Sequence, residues 1–111
     1  VNAGVVAHFA RCADADRFRS FDGAVDHGVA FGQCRRPALF VSGDQDGLAP
    51  PRAVEALCVA WGGPKRYWGA GAAYGHADLL IGRRASADVH PVIAAWLEEQ
   101  APAAPPRAAG R

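Results

Sequence analysis

The sequence lacks the features that mark several large classes of protein. Lys and Arg together number 12 against 11 Asp and Glu, and no basic stripe alternates with aromatic residues, so a nucleic-acid-binding surface is not predicted. No apolar run approaches the ~18 residues of a membrane span. No segment near the start has the pattern of a signal peptide. These absences favour a single globular domain that neither binds nucleic acid nor spans a membrane.

Cysteine is scarce and methionine is absent. The three cysteines, Cys12, Cys34 and Cys58, are odd in number and form no CxxC pair, which argues against both a disulfide framework and a zinc ribbon. We expect buried free thiols in a reducing compartment, and the cytoplasm is favoured. His8 lies four residues before Cys12, a spacing that suits a metal on a helix, but no second pair accompanies it. We therefore predict no metal site and no cofactor.

The two ends of the sequence differ in character. The chain starts at Val1 without any methionine, whereas residues 101–111 form a Pro/Ala-rich stretch that has no core-forming residue. We expect a disordered tail over 101–111, and an N-terminus from which the front part of a longer protein is missing.

Apolar residues recur with helical spacing in three segments: 3–13, the residues after Pro50-Pro51, and 86–100. Asp88 is the expected N-cap of the last helix, with Pro91 in its first turn. Residues 14–36 have no clear period and are predicted as loop, with at most one short helix.

Two short strands are predicted between these helices. The unbroken apolar run Ala38–Val41 is typical of a strand covered on both faces, as in a parallel sheet. Residues 65–68 form the second candidate strand. Strands that alternate with helices indicate βαβ units, so the predicted fold class is α/β.

Candidate chemistry follows each strand. Asp44 and Asp46 lie in the turn after the first strand, and His76 lies in a glycine-rich loop after the second, just before the apolar run Leu79–Ile81, which we expect to be buried. Because the carboxyl ends of neighbouring parallel strands share one edge of a sheet, an aspartate and the histidine can meet there. This is two thirds of a Ser-His-Asp arrangement. Asp78 is expected to have a structural role, either orienting the loop or capping the turn.

Two stretches resemble a known family. The segments LFVSGDQDGLAPPRAVEAL and AYGHADLLIGRRASADVHPVIAAWLEE resemble the C-terminal third of an α/β-hydrolase, and more narrowly the lipase-like hydrolases related to acid lipases and to hydrolase segments fused to cholesterol-oxidase-type proteins. The resemblance implies that the chain contains the last two parallel strands of that fold with their flanking helices. It assigns Asp46 as the triad acid and His76 as the triad base.

The same resemblance divides the chain into three parts and indicates its partners. Residues 1–36 correspond to the end of a cap or crossover segment, 37–100 to the C-terminal hydrolase core, and 101–111 to the tail. The implied substrate is a small-molecule ester or a lipid, with no cofactor. The remainder of the hydrolase fold is an expected partner.

The sequence departs from the family because it has no G-x-S-x-G nucleophile elbow and no oxyanion-hole loop. Its only serines are Ser20, Ser42 and Ser86, and none has the flanking glycines of an elbow. We therefore expect the chain to supply acid and base but no nucleophile, and to be inactive alone. The alternatives are a non-catalytic remnant or interaction fragment, and a related chemistry, such as dehalogenation, with a different nucleophile.

Overall fold

The computed structural model describes residues 2–102, and within them it combines helices with a two-stranded parallel sheet. The elements in chain order are α1 (Ala3–Ala15), α2 (His27–Gln33), β1 (Ala38–Ser42), α3 (Pro51–Ala60), β2 (Lys65–Gly69), α4 (Asp78–Ile81), α5 (Ala85–Asp88) and α6 (His90–Gln100). This composition agrees with the α/β class predicted from the sequence. Most of the predicted tail lies outside the described residues, which end two positions into it.

Side-chain caps explain where the first two helices begin. The Asn2 side chain accepts the backbone N–H of Gly4 at 2.7 Å and so satisfies one of the unpaired donors of the first turn of α1. The Asp26 side chain accepts the N–H of Val29 at 3.1 Å in the same way and starts α2. The short helix in the segment 14–36 is therefore a capped structure of seven residues.

Contacts along the chain define two compact units, which are described separately. The first comprises the residues up to Phe40 together with Arg52–Tyr67, and the second comprises Val41–Pro51 with the residues from Trp68 onward. Each of the two strands passes from the first unit into the second. The chemistry-bearing loops that follow β1 and β2 both belong to the second unit.

Trp61 organises the packing of the first unit. Its ring centroid lies 5.9 Å from that of Phe31 and 5.9 Å from that of Phe40. Its indole N–H donates to the carbonyl of Arg36 at 2.9 Å, which gives the polar end of the side chain a partner. The side chain is only half-buried, and Phe9 and Phe21 are mostly exposed. The first unit therefore keeps considerable apolar surface in contact with solvent.

The core of the second unit is built around Tyr74, Ala85 and Val89, of which Val89 is fully buried. The partly buried side chains packed against this cluster are those of Val41, Trp68, Ala70, Leu79 and Ile93. They come from both strands, from Ala70 just after β2, from α4 and from α6, so the cluster ties the ends of the strands to the C-terminal helices.

Two predictions about this unit were wrong. Asp88 is not the N-cap of the last helix, because it ends α5, and Val89 occupies the N-cap position of α6 without any side-chain capping bond. The run Leu79–Ile81 is not buried as a whole, since Leu80 is 68% exposed and Ile81 is 83% exposed. The physical reason is that α4 is a single turn, of which only Leu79 packs on the core.

Two expectations about burial were also too strong. Among the thiols Cys58 is buried, whereas Cys12 and Cys34 are half-buried. Residues 38–41 of β1 are half-buried, and only Ser42 is fully enclosed, so the strand is not covered on both faces. A sheet of two strands among the described residues offers each strand few neighbours.

Within residues 2–102, none of the helices combines the length and apolar character needed to cross a membrane.

Candidate functional site

The loops after β1 and β2 are joined by backbone hydrogen bonds that continue beyond the sheet. Ala70 donates its N–H to the carbonyl of Ser42 at 2.7 Å, and Asp44 donates to Gly71 at 3.1 Å. Gln45 then donates to the carbonyl of Tyr74 at 3.0 Å. The turn 43–46, called here the acid turn, is therefore fixed against residues 70–76, called here the histidine loop.

Glycine is required where these two segments approach most closely. A Cβ atom added to Gly43 would lie 2.3 Å from the carbonyl oxygen of Tyr74, well inside van der Waals contact. Gly71 in the histidine loop has a φ of 97°, which side-chain-bearing residues rarely adopt. Both glycines thus serve the geometry that holds the loops together.

This geometry brings Asp46 and His76, thirty residues apart, into direct contact. The Nδ1 atom of His76 lies 2.8 Å from Oδ2 of Asp46. The carboxylate side chain is 2% exposed, whereas the imidazole is 57% exposed. A buried carboxylate therefore holds a histidine whose ring remains accessible to solvent at the edge of the sheet.

The surroundings of Asp46 favour its ionised form. The backbone N–H of Ala49 lowers the pKa of Asp46 most strongly, and the hydrogen bond from His76 and the N–H of Leu48 lower it further, against an opposing effect of burial. The two backbone donors lie 2.8 Å (Ala49) and 2.9 Å (Leu48) from Oδ1. An ionised carboxylate can only accept, so the contact with Oδ2 assigns the proton of neutral His76 to Nδ1.

The other two aspartates near the site make different contacts. The side chain of Asp44 is exposed, and it is Asp46 that reaches the imidazole. Asp78 accepts the backbone N–H of Gly75 at 2.8 Å through Oδ2, which ties the start of α4 to the residue before His76. This loop-holding contact is one of the two alternatives expected for Asp78 from the sequence.

The residues that sequence reasoning missed are Tyr74 and Asp88. The hydroxyl of the buried Tyr74 donates to Oδ2 of Asp88 at 2.5 Å. Arg84 donates to both oxygens of the same carboxylate, at 3.1 and 3.3 Å. The spacing of Arg84 and Asp88, four residues apart, is a sequence signal for a helical ion pair, but no sequence signal joins either residue to Tyr74.

Comparison of the chain with models of protein families, with curated proteins and with solved structures gave no match.

None of the three serines has the setting of a nucleophile. Ser42 is fully buried. The hydroxyl of Ser20 donates to Asp22 at 2.7 Å, and Ser86 is exposed on the single-turn helix α5. Among residues 2–102, no group of three or more His, Cys, Asp or Glu side chains could hold a metal ion. The described residues thus offer a carboxylate-imidazole pair suited to proton transfer.

Proposed function

We propose that this chain supplies the base and the orienting acid of a carboxylic ester hydrolase of the α/β-hydrolase type. The observation that carries the proposal is the 2.8 Å contact between the buried Asp46 carboxylate and the accessible His76 imidazole. Its position after two neighbouring parallel strands is where such a fold carries its reactive groups. The resemblance of the two flanking segments to lipase-like hydrolases supports the same assignment.

The mechanism follows from the protonation of the pair. Asp46 accepts a hydrogen bond from Nδ1–H of His76 and so leaves Nε2 unprotonated. Nε2 then takes the proton of a seryl hydroxyl as that oxygen attacks the ester carbonyl. The imidazolium then donates this proton to the departing alkoxide, leaving an acyl-serine. His76 then deprotonates a water that attacks the acyl carbon; the bond from that carbon to the serine oxygen breaks, the imidazolium returns the proton to this oxygen, and the carboxylic acid is released. The serine comes from a part of the hydrolase fold outside these 111 residues, and the substrate is a small-molecule ester or a lipid.

The test begins with the genomic sequence upstream of Val1. An in-frame G-x-S-x-G between a strand and a helix is expected, and the extended protein should hydrolyse p-nitrophenyl esters. His76→Ala should reduce kcat by about 10⁴-fold or more, the scale of loss when a triad member is removed. His27→Ala, at the start of α2 in the first unit, is the matched control and should retain activity. Full activity of the His76 variant would refute the assignment.

A non-catalytic interaction fragment is the second candidate, and the exposed apolar side chains favour it. Four large apolar side chains are each more than 60% exposed, namely those of Phe9, Phe21, Leu48 and Ile81. Exposed apolar side chains are common on surfaces that bind another protein. A stop codon immediately upstream, together with retained folding of the 111-residue chain, would support this function. We expect the chain alone to be loosely packed or prone to aggregate, and a sharp, reversible, cooperative melt of a monomer would contradict that expectation.

A further inference from the structure

We propose that Tyr74 and Asp88 form a positioning pair that keeps the histidine loop in register with the acid turn. The inference deepens the proposed function, on which it rests for the role of His76. The juxtaposition itself, a buried tyrosine hydroxyl on a helical carboxylate, is independent of any reaction.

Tyr74 is anchored at both its side chain and its main chain. Tyr74 is only 6% exposed, and it belongs to the core cluster with Ala85 and Val89. Its carbonyl accepts the N–H of Gln45 from the acid turn, and its own N–H donates to Gly71. The residue that precedes Gly75-His76 therefore connects the core, the acid turn and the histidine loop.

Asp88 fixes the far end of the Tyr74 side chain. Its carboxylate accepts a hydrogen bond from the tyrosine hydroxyl and is also held by the guanidinium of Arg84, four residues earlier. The pKa of Asp88 is lowered first by Arg84 and then by Tyr74, and the pKa of Tyr74 is raised chiefly by Asp88. Both shifts favour a neutral phenol that donates to an ionised carboxylate, a charge-assisted bond of the stronger kind.

The anchor reaches His76 through two residues of backbone. Asp88 fixes Tyr74 and Asp78 fixes Gly75, so each of the two residues that precede His76 is held by a carboxylate. A shift of Tyr74 moves the carbonyl that receives Gln45, and with it the acid turn that carries Asp46. Asp88 is thus a positioning residue, which acts on His76 without touching it.

The experiment uses the protein as its gene encodes it, with any residues upstream of Val1 included. The His76 ring is measured by ¹H–¹⁵N NMR, which reports the Nδ1–H tautomer without requiring turnover. Tyr74→Phe removes only the hydroxyl. It should reduce the ratio of His76 rings that are hydrogen-bonded to Asp46 to those that are not by roughly tenfold, as expected for loss of a hydrogen bond to a charged group. Asp88→Ala should have a similar effect. Asp88→Asn, which keeps an acceptor oxygen, should restore part of the population.

Two comparison variants separate positioning from general destabilisation. Tyr67→Phe removes the other tyrosine hydroxyl and should leave the His76 signals unchanged. Val89→Ala weakens the same core without touching the hydroxyl or the carboxylate. If Val89→Ala perturbs the tautomer as much as Tyr74→Phe at equal loss of thermal stability, or if Tyr74→Phe leaves it unchanged, the proposal is overturned. Because no step depends on ester hydrolysis, absence of that activity in the extended protein would leave this result standing.

Discussion

Replacing Gly43 by alanine should damage both the stability and the site of the second unit. The added Cβ would lie 2.3 Å from the carbonyl oxygen of Tyr74, and the contact must open to about 3.0 Å, so the acid turn and the histidine loop must separate by roughly 0.7 Å. Overpacking of this kind costs about 1–3 kcal/mol, the range for insertion of extra atoms into packed structure. The same displacement, passed on to the 2.8 Å contact of Asp46 with His76, stretches it to about 3.5 Å, where a hydrogen bond is largely lost.

The matched control lies in the same segment. A Cβ atom on Gly47 would meet nothing within 4 Å, so Gly47→Ala should be neutral or slightly stabilising. Urea denaturation followed by tryptophan fluorescence measures the free energy of unfolding, and ¹H–¹⁵N spectra of the His76 ring report the dyad. If the Gly43 variant is as stable as the Gly47 variant and keeps the same His76 spectrum, then the close approach of the two loops does not hold the site together.

Three further outcomes are expected. The pKa of Asp46 is lower in the folded than in the unfolded chain. Its contribution to stability is therefore present above the unfolded pKa near 3.9 and is lost as the pH falls through the folded pKa. In urea titrations between pH 2 and 7, the free energy of unfolding of Asp46→Asn should fall less steeply at acid pH than that of the unchanged chain. Val89→Ala should cost about 2 kcal/mol by denaturation, whereas Val59→Ala, 77% exposed, should cost almost nothing; equal losses would contradict the assigned core. Asp78→Ala should speed amide exchange at Gly75, and unchanged exchange would show that this carboxylate does not hold the loop.

The parts of the fold that the sequence predicts are those specified by local pattern. The apolar run from Ala38 and the residues from 65 onward form the expected strands, and the stripe after Pro51 forms the expected helix α3. The juxtaposition of an aspartate and a histidine also follows from pattern, because two neighbouring parallel strands deliver their loops to one edge. The choice of Asp46 over Asp44 as the triad acid came from the family resemblance and stays a prediction; Asp46 is the aspartate that contacts His76.

The parts that could not be predicted depend on tertiary contacts. Asp88 is a residue type that often caps helices, and Pro91 follows three positions later. Its carboxylate instead contacts Tyr74 and Arg84, and Val89 separates α5 from α6. The exposure of Leu80 and Ile81 likewise depends on α4 ending after one turn at Gly82. The periodic pattern of apolar residues predicts local structure, and it does not predict the hydrogen bond between Tyr74 and Asp88, which are fourteen residues apart.

The hydrogen bonds of Asp46 indicate how the pair of Asp46 and His76 is held in place. Oδ1 of Asp46 accepts the N–H groups of Leu48 and Ala49, so the backbone just after the acid turn stabilises the buried negative charge together with the imidazole. Asp46 is therefore positioned by the backbone that follows it, and the imidazole is positioned by Asp46 and by the histidine loop. An arrangement in which the backbone holds the carboxylate and the carboxylate holds the ring keeps one tautomer in place while the His76 side chain stays 57% exposed. Such preorganisation suits the general-base role proposed for His76.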